Sequence, residues 1–283
     1  MLTWNKEQPK LDYLHQLTQA TSKPVDLREQ YYQKQGRNPN PDSEDSKNSG
    51  VMGIAGFGET FIREIENDVM PWVTAPEYDG GYADGLKNGN GRCVYPNGDI
   101  FKGNYIKGKR SGAGLMWWAD GKFYKGIFVD DQIKGKGIFK VAAGPQSVII
   151  DGQFDSGIIV PGPAKIQYPN NDIYEGRVNM QGQRDGSGRH FYNNGDLYEG
   201  NWQRNKRSGK GKLAFADGGV FTGTFQDDET HDGQLIDSND NKFQNDLNKG
   251  GFFLRGKLNG FGTARFSNSN DYVGDFKDGL MSG

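Results

Sequence analysis

The sequence is poor in the features that mark secreted or membrane-embedded proteins. It holds one cysteine, Cys93, among 283 residues, so an intramolecular disulfide cannot form and a reducing compartment is favoured. No apolar run approaches the ~18 residues of a membrane-spanning helix. The opening residues, MLTWNKEQPKLDYL, mix charges of both signs and lack the apolar core of a secretory signal. The sequence therefore predicts a cytoplasmic location.

Net charge and core-forming residues are also scarce. The formal net charge is −2 and only 34% of the residues are hydrophobic, with a mean hydropathy of −0.81. Such a balance generates no field that would gather nucleic acid. Glycine, by contrast, is abundant, with 43 residues. This composition favours an extended architecture over a globule with a large core.

Catalytic and metal-binding patterns are missing as well. The three histidines, His15, His190 and His231, lie in unrelated contexts, and no cluster has the spacing of metal ligands. His190 stands where Leu213 and Met116 stand in related stretches, so it is interpreted as a residue of a sheet. We predict a protein that is not an enzyme and that has no cofactor and no metal.

The stretch from Tyr198 to Val220 organises the rest of the chain. Tyr198, Gly200 and Trp202 alternate, which puts them on one face of a strand. Residues 209–215 alternate in the same way on a return strand, and residues 216–219 provide an Asp-Gly turn. The stretch therefore predicts a β-hairpin with an aromatic and glycine face.

Copies of this hairpin recur along the chain at intervals of 23 or 24 residues, except for an interval of 50 residues between Tyr124 and Tyr174. The clearest copies start at Tyr78, Phe101, Tyr124, Tyr174, Tyr198 and Phe221. A fixed period of this size indicates an array of small units, none of which can bury its own face alone.

The pattern of Tyr-x-Gly-x-aromatic, a loop, Gly-x-Gly and an aromatic before Asp/Asn-Gly resembles the MORN repeat. The resemblance covers about residues 78–283 and implies an all-β fold, an elongated, twisted antiparallel sheet of tandem β-hairpins. We expect eight to nine copies within 77–283, of which the fourth, seventh and eighth are degenerate and the last is incomplete. Nine copies would extend ~85 Å at ~4.8 Å per strand.

The first 76 residues differ from the array. Residues 1–50 are predicted to be a polar, mostly irregular extension with short helical stretches, partly disordered or ordered by a partner. Residues 51–76 are predicted to cap the array, with a helix from Glu59 to Met70 that Pro71 ends. The glycine-rich start of this segment lacks the Gly-Lys-Ser/Thr of a phosphate loop.

The aromatic face raises the question of what covers it. Because no convincing helix lies between Tyr78 and Gly283, the sequence predicts an exposed apolar trough, the usual mark of a partner site. The alternative is that curling and glycine packing bury the rings within the chain. The predicted partner-binding residues are Phe128, Phe154, Trp202, Phe225, Phe253, Phe276, Trp118 and Phe215.

Two loops carry positive charge and open a further alternative, attraction to acidic lipid headgroups. The basic residues are Lys107, Lys109, Arg110, Arg204, Lys206 and Arg207. Acidic loops at Asp130 and Asp227 alternate with them, so no continuous basic strip forms. Membrane lipid is therefore a less favoured partner than protein.

An array that dominates the chain, with short polar flanks, is similar to the radial spoke head proteins of cilia and flagella. That resemblance implies a scaffold subunit of a multiprotein complex in the axoneme or cytoskeleton, which docks partners on its trough and sheet ends. A peptide-binding adaptor outside cilia and an acidic-phospholipid tether are the alternatives.

Overall fold

A computed structural model describes residues 77–141 and 147–282. The predictions for the extension at 1–50 and the capping segment at 51–76 lie outside the described residues. The prediction of an all-β chain is confirmed, because the described residues form strands, turns and one short 3-10 helix.

Twenty strands follow one another along the chain. They are β1 Glu77–Ala83, β2 Leu86–Val94, β3 Ile100–Ile106, β4 Lys109–Trp117, β5 Phe123–Val129, β6 Gln132–Lys140, β7 Ile149–Asp155, β8 Ile158–Ile159, β9 Gly162–Gln167, β10 Ile173–Val178, β11 Arg184–Phe191, β12 Leu197–Gln203, β13 Lys206–Ala214, β14 Val220–Gln226, β15 Glu229–Ile236, β16 Lys242–Asn245, β17 Phe252–Leu254, β18 Lys257–Arg265, β19 Asp271–Lys277 and β20 Leu280–Met281, with the 3-10 helix at Leu247–Lys249.

The strands form an antiparallel sheet of hairpins. Each strand pairs with its neighbour in sequence, but β9 pairs with β7 rather than with the short β8, and β16 pairs with β18 rather than with the short β17. Both irregularities fall in copies that lack a ring or a glycine of the repeat pattern.

Tight turns at one edge of the sheet join each repeat to the next one. The turn after β11 is an example, because it leads into β12, the first strand of the following repeat. In the turn after β11, the Tyr192 N–H donates to the Asp196 carbonyl at 3.0 Å. Gly195 adopts a φ of 93°, which favours glycine. The Asp196 Oδ1 then accepts the N–H of Ala216 in the following turn at 2.8 Å. The turn sequence thus specifies both the hairpin and its register with the next one.

The opposite ends of the hairpins are joined by arginines. The Arg207 backbone N–H donates to Asp228 Oδ1 at 2.7 Å, and its guanidinium donates to the Asp228 carbonyl. The same guanidinium lies over the rings of Tyr198 and Phe225, 5.7 and 5.3 Å from their centroids. Arg110 with Asp131 and Arg184 with Asn205 repeat this arrangement. We call these three contacts the arginine clamps.

Replacing Arg207 with alanine is expected to lower the free energy of unfolding by about 1–2 kcal/mol. The substitution removes both the guanidinium hydrogen bond to Asp228 and the packing of the guanidinium over the rings of Tyr198 and Phe225. Denaturant unfolding measures this loss. The matched control is Lys206→Ala, which removes an ion pair to Asp227 whose side chains are both more than half exposed and should change stability by less than about 0.5 kcal/mol. Equal effects of the two substitutions would contradict the clamp.

The aromatic rings lie on one face of the sheet, which we call the ring face. Rings of adjacent repeats interleave on this face and bury one another. Tyr198 meets Trp202 of its own repeat and Phe225 of the next repeat, with centroids 5.1 and 4.9 Å apart and the rings edge to face. Two runs of such contacts exist, from Tyr78 to Phe154 and from Tyr174 to Phe253. The interruption falls between the copy in which Ile150 replaces a ring and the following copy, in which Val178 replaces one.

The prediction of an exposed aromatic trough is wrong. Trp202, Phe225 and Phe253 are 3%, 3% and 2% exposed, and Phe128, Phe154 and Phe276 are buried to a similar degree. Four of them, Phe128, Phe154, Trp202 and Phe225, each contact at least two other rings. Arginine side chains lie over three of these four, Phe128, Trp202 and Phe225. These six residues therefore form the core. Of the eight predicted contact residues, Trp118 and Phe215 alone are partly exposed.

Candidate functional site

A row of partly exposed aromatic rings runs along the turn end of the ring face. Its members, which we call the turn row, are Tyr95, Trp118, Tyr168, Tyr192, Phe215 and Phe266. Each occupies the same place in its repeat, immediately before the turn, and donates its backbone N–H to the carbonyl four residues later at 2.8–3.0 Å. The repeat geometry therefore presents one ring for every second strand, except after β6 and β15, where Val141 and Asp237 take this place.

Two successive members of the turn row line a cleft. Tyr168 and Tyr192 line a cleft of about 570 Å³, together with Trp202, Arg184 and Arg207, and Phe215 occupies the next place along the row. The Arg184 guanidinium lies 4.1 Å from the Trp202 ring centroid. Asp172 and Asp228 also line the cleft, so guanidinium and carboxylate groups are both present. The arrangement offers aromatic surfaces and hydrogen-bonding groups, which suits a peptide.

His190 forms the floor of this cleft and lies in β11, the strand position that the sequence predicted. Because the Arg184 Nη1 must donate, His190 Nδ1 accepts from it at 3.0 Å and His190 Nε2–H donates to Asp172 Oδ2 at 3.1 Å. The side chain is 3% exposed. Burial, with Arg184 assisting, lowers the pKa of His190 to about 4, although its hydrogen bond to Asp172 opposes the shift. The imidazole is therefore neutral near pH 7 and fixed in one tautomer.

The lowered pKa of His190 predicts that stability falls with acidification. Below about pH 6.5 the unfolded chain binds a proton at this site and the folded chain does not, so the contribution is complete above pH 6.5 and is lost as pH falls toward 4. The total loss should be about 3 kcal/mol at ~1.4 kcal/mol per pH unit. Comparing urea unfolding of the natural chain and of His190→Leu across this range measures it. Parallel pH profiles would refute the buried neutral imidazole.

The basic loops that suggested lipid binding are largely neutralised by the acidic loops of the next repeat. Arg110 and Arg207 belong to the arginine clamps. Lys109 lies 3.9 Å from Asp130, and Lys206 lies 3.0 Å from Asp227. Lys107 and Arg204 occupy exposed turn positions with positive φ. The structure thus pairs basic with acidic loops rather than building a basic strip.

Metal-ligand clusters and membrane-spanning helices are both absent from the described residues. Across 77–141 and 147–282, no group of three or more His, Cys, Asp or Glu side chains is placed to hold a metal ion. Within the same ranges, no helix combines the length and the apolar character that crossing a membrane would require.

Sequence reasoning missed the turn row as a surface. Period-2 alternation assigns the aromatic before each Asp/Asn-Gly turn to the same exposed trough as the other rings, so the sequence does not distinguish the turn row from the rings of the core. The position of this aromatic at the end of a strand could have distinguished it from the core rings, because a flanking strand covers less of a ring there.

Solved structures with a similar course of the chain include the following three. The G-box domain of the microcephaly protein CPAP, described with a suggested role in centriole elongation, has a TM-score of 0.38 at 10% identity and covers 66% of this chain and 98% of its own. The TCP domain of Drosophila melanogaster SAS-4, solved with a proline-rich motif of Ana2, has a TM-score of 0.35 at 13% identity and covers 73% and 96%. The TCP10 domain of Danio rerio CPAP, solved with a STIL peptide, has a TM-score of 0.34 at 12% identity and covers 70% and 83%.

These scores are too low to carry an argument about this chain. No curated protein sequence matches it at a significant level.

The family model of the MORN repeat matches seven segments of the chain. They are residues 78–100, 101–123, 124–142, 174–197, 198–220, 251–270 and 272–283. The matches make up about half of the sequence and fall on the hairpins described above. The chain belongs to the MORN-repeat family.

Proposed function

We propose that this protein is a non-enzymatic scaffold that holds a segment of a partner protein against the turn row. MORN arrays are repeat scaffolds for protein interaction, which supports the general role. The observation that carries the proposal is the run of partly exposed rings at Tyr168, Tyr192 and Phe215, of which the first two line the cleft. The sequence predicted that partners bind in an aromatic trough. Because the rings of that face are buried, we assign the partner site to the turn row instead.

The spacing of the turn row favours one partner conformation. Successive rings are separated by two strands, which is ~9.6 Å at ~4.8 Å per strand. One turn of a polyproline II helix contains three residues and rises ~9.3 Å. A proline-rich segment that crosses the strands would therefore place every third residue over a ring of the turn row.

The chemistry of the cleft agrees with such a partner. Aromatic grooves bind proline-rich segments because the proline rings pack on them and the extended segment loses little entropy on binding. Polyproline II backbones leave their carbonyl groups free, and the guanidinium groups of Arg184 and Arg207 beside the rings can donate to such acceptors. A peptide adaptor and a scaffold subunit share this mode of binding.

The finer role that we propose is a subunit of a cytoplasmic, cytoskeletal assembly, with the radial spoke heads of the ciliary axoneme as the specific candidate. It rests on the dominance of the array in the chain and on the similarity stated from the sequence. Fractionation of ciliated cells tests it: the protein should co-purify with axonemes, and its absence from them would leave the adaptor role.

The partner site is tested by affinity purification of the full chain with two variants. We expect Tyr168→Ser combined with Tyr192→Ser to lose the stable partners of the natural chain. The control is Tyr82→Ser, which changes a ring that is 62% exposed and outside the turn row, and it should keep them. An unchanged set of partners in the double variant, with the sheet intact by circular dichroism, would overturn the proposal.

A further inference from the structure

A second cleft, which we call the basic cleft, crosses strands β1–β5 on the face of the sheet opposite the rings and has a volume of about 1320 Å³. Lys102 and Leu115, which are paired across β3 and β4, both line it. Their neighbours along these strands, Phe101 and Met116, belong to the buried core of the ring face. Because successive side chains of a strand point to opposite faces, the basic cleft is separate from the turn row.

Positive charge predominates along one side of the basic cleft. Arg92, Lys102 and Lys125 line it on β2, β3 and β5, and Asp79 on β1 is the one acidic side chain among the described residues that line it. Arg92 and Lys102 are direct cross-strand neighbours, an arrangement that like charges disfavour. Lys102 and Lys125 also take part in interactions within the chain, so Arg92 is the residue that identifies the site.

The later part of the array carries the opposite charge at corresponding places. Lys102 and Lys125 directly follow the first aromatic residue of their repeats, and Glu175 and Glu199 stand there in two later repeats. Glu175 lies 3.7 Å from Lys165, its neighbour on the adjacent strand. Acidic and basic side chains therefore compensate one another on that part of the face, whereas basic side chains predominate at the cleft.

The guanidinium of Arg92 lacks the partners that comparable arginines have. Its Nε and Nη2 atoms are shielded from solvent and have no hydrogen-bond partner in the described part of the chain. Arg189 occupies the same place in its repeat and forms an ion pair with Glu199. Arg184 and Arg207 also have an Nε atom without a partner, but their guanidinium groups lie over rings. Because buried polar groups are nearly always hydrogen-bonded, the state of Arg92 indicates an acceptor that another molecule supplies.

We propose that the basic cleft binds an extended acidic segment of a partner protein. Arg92 lines the cleft, so its guanidinium can turn to a carboxylate there, and charge-assisted hydrogen bonds of this kind are strong. Ala113, Leu115 and Ile127 also line the cleft, so apolar side chains of the segment pack beside its carboxylates. Five strands span four strand spacings, about 19 Å, which about six residues of an extended segment cover.

Binding of a labelled peptide to the full chain, measured by fluorescence anisotropy, tests the proposal. The probe alternates glutamate and valine over about eight residues, and the reference peptide has glutamine in place of each glutamate. We expect the natural chain to prefer the glutamate peptide, with an affinity that falls as ionic strength rises. Arg92→Gln should weaken this binding at least about tenfold. The matched control, Arg189→Gln, changes the same place of a later repeat and should leave the affinity unchanged.

Urea unfolding of the same variants distinguishes a binding role of Arg92 from a structural one. Arg92→Gln removes buried donors that have no partner, so its unfolding midpoint should equal or exceed that of the natural chain. A lower midpoint would show that Arg92 supports the fold and would overturn the assignment.

Three binding results would also overturn the proposal. They are no binding of the glutamate peptide, equal binding of the glutamate and glutamine peptides, and equal losses in Arg92→Gln and Arg189→Gln. Vesicles of phosphatidylserine and phosphatidylcholine provide the remaining comparison. If they bind in a manner that depends on Arg92 and the peptide does not, the cleft belongs to a membrane surface and the proposal fails. These outcomes leave the turn row untested, since Tyr168→Ser with Tyr192→Ser changes the other face.

Discussion

Replacing Gly200 with alanine is expected to lower the free energy of unfolding by about 3 kcal/mol, since overpacking at a site that cannot yield costs this much. A Cβ at this position would lie 2.4 Å from Tyr198 Oη and 2.7 Å from the Cα of Gly211. Neither neighbour can yield freely, because Gly211 is backbone and the Tyr198 ring is fixed between Trp202 and Phe225. Denaturant unfolding of Gly200→Ala measures the effect.

The chain supplies a matched control for this substitution. Gly152 occupies the same place in the copy where Ile150 replaces the ring, and a Cβ there would meet Ile159 and Ala164 at ordinary distances of 3.4 and 3.6 Å. Gly152→Ala should therefore cost less than about 1 kcal/mol. The natural alanine at position 164 stands where other copies have glycine, which agrees with this reasoning. Equal losses at Gly200 and Gly152 would contradict the packing of rings on glycine.

Replacing Tyr198 with alanine is expected to cost about 3–5 kcal/mol, the range for removing a buried aromatic ring. Tyr198 is 0% exposed and joins two repeats through its edge-to-face contacts. Units of a repeat array interact with their nearest neighbours, so the damage should stay local. Hydrogen exchange should accelerate in β11–β14 and remain slow in β2–β5.

The control for this prediction keeps the ring and removes the hydroxyl. The Tyr198 O–H donates to the Asn201 carbonyl at 2.9 Å, so Tyr198→Phe should cost about 1 kcal/mol. Uniform acceleration of exchange across the whole sheet in Tyr198→Ala would show that the array unfolds as one unit, contrary to the expectation.

Much of the fold could be predicted from the sequence because the repeat contains local information. Tyr198, Gly200 and Trp202 alternate with the period of a strand, and Asp217-Gly218 marks its turn. Regular hairpins with a common register follow from these residues. The places where β8 and β17 interrupt the pairing also coincide with copies that depart from the pattern.

The state of the aromatic face could not be predicted in the same way. Alternation shows which face of the sheet a ring lies on, but the exposure of the ring depends on how closely the side chains of the adjacent repeats pack against it. Trp202 and Phe225 are buried because rings of adjacent repeats interleave edge to face and because Arg184 and Arg207 lie over them. These contacts span repeats, and a strand period contains no information about them.

The candidate site was predicted in part. Trp118 and Phe215 were named as contact residues and do lie on the turn row, but Tyr168 and Tyr192 were not named. Their exposure follows from their position at the strand end beside the cleft, which depends on the three-dimensional register of the turns. The network of His190 with Arg184 and Asp172 depends on the same register.

The binding of a proline-rich segment to the turn row is tested most directly by nuclear magnetic resonance. A synthetic proline-rich peptide with an apolar residue at every third position is added to the protein, and the changes in backbone amide chemical shift are mapped onto the sequence. We expect shifts concentrated at Tyr168, Tyr192 and Phe215 and their turns, and we expect the double variant Tyr168→Ser, Tyr192→Ser to lose them. Shifts centred on Phe225 and Phe253 would contradict this expectation, because they would show that the interleaved rings open to a partner. Absence of shifts at saturating peptide would contradict it equally.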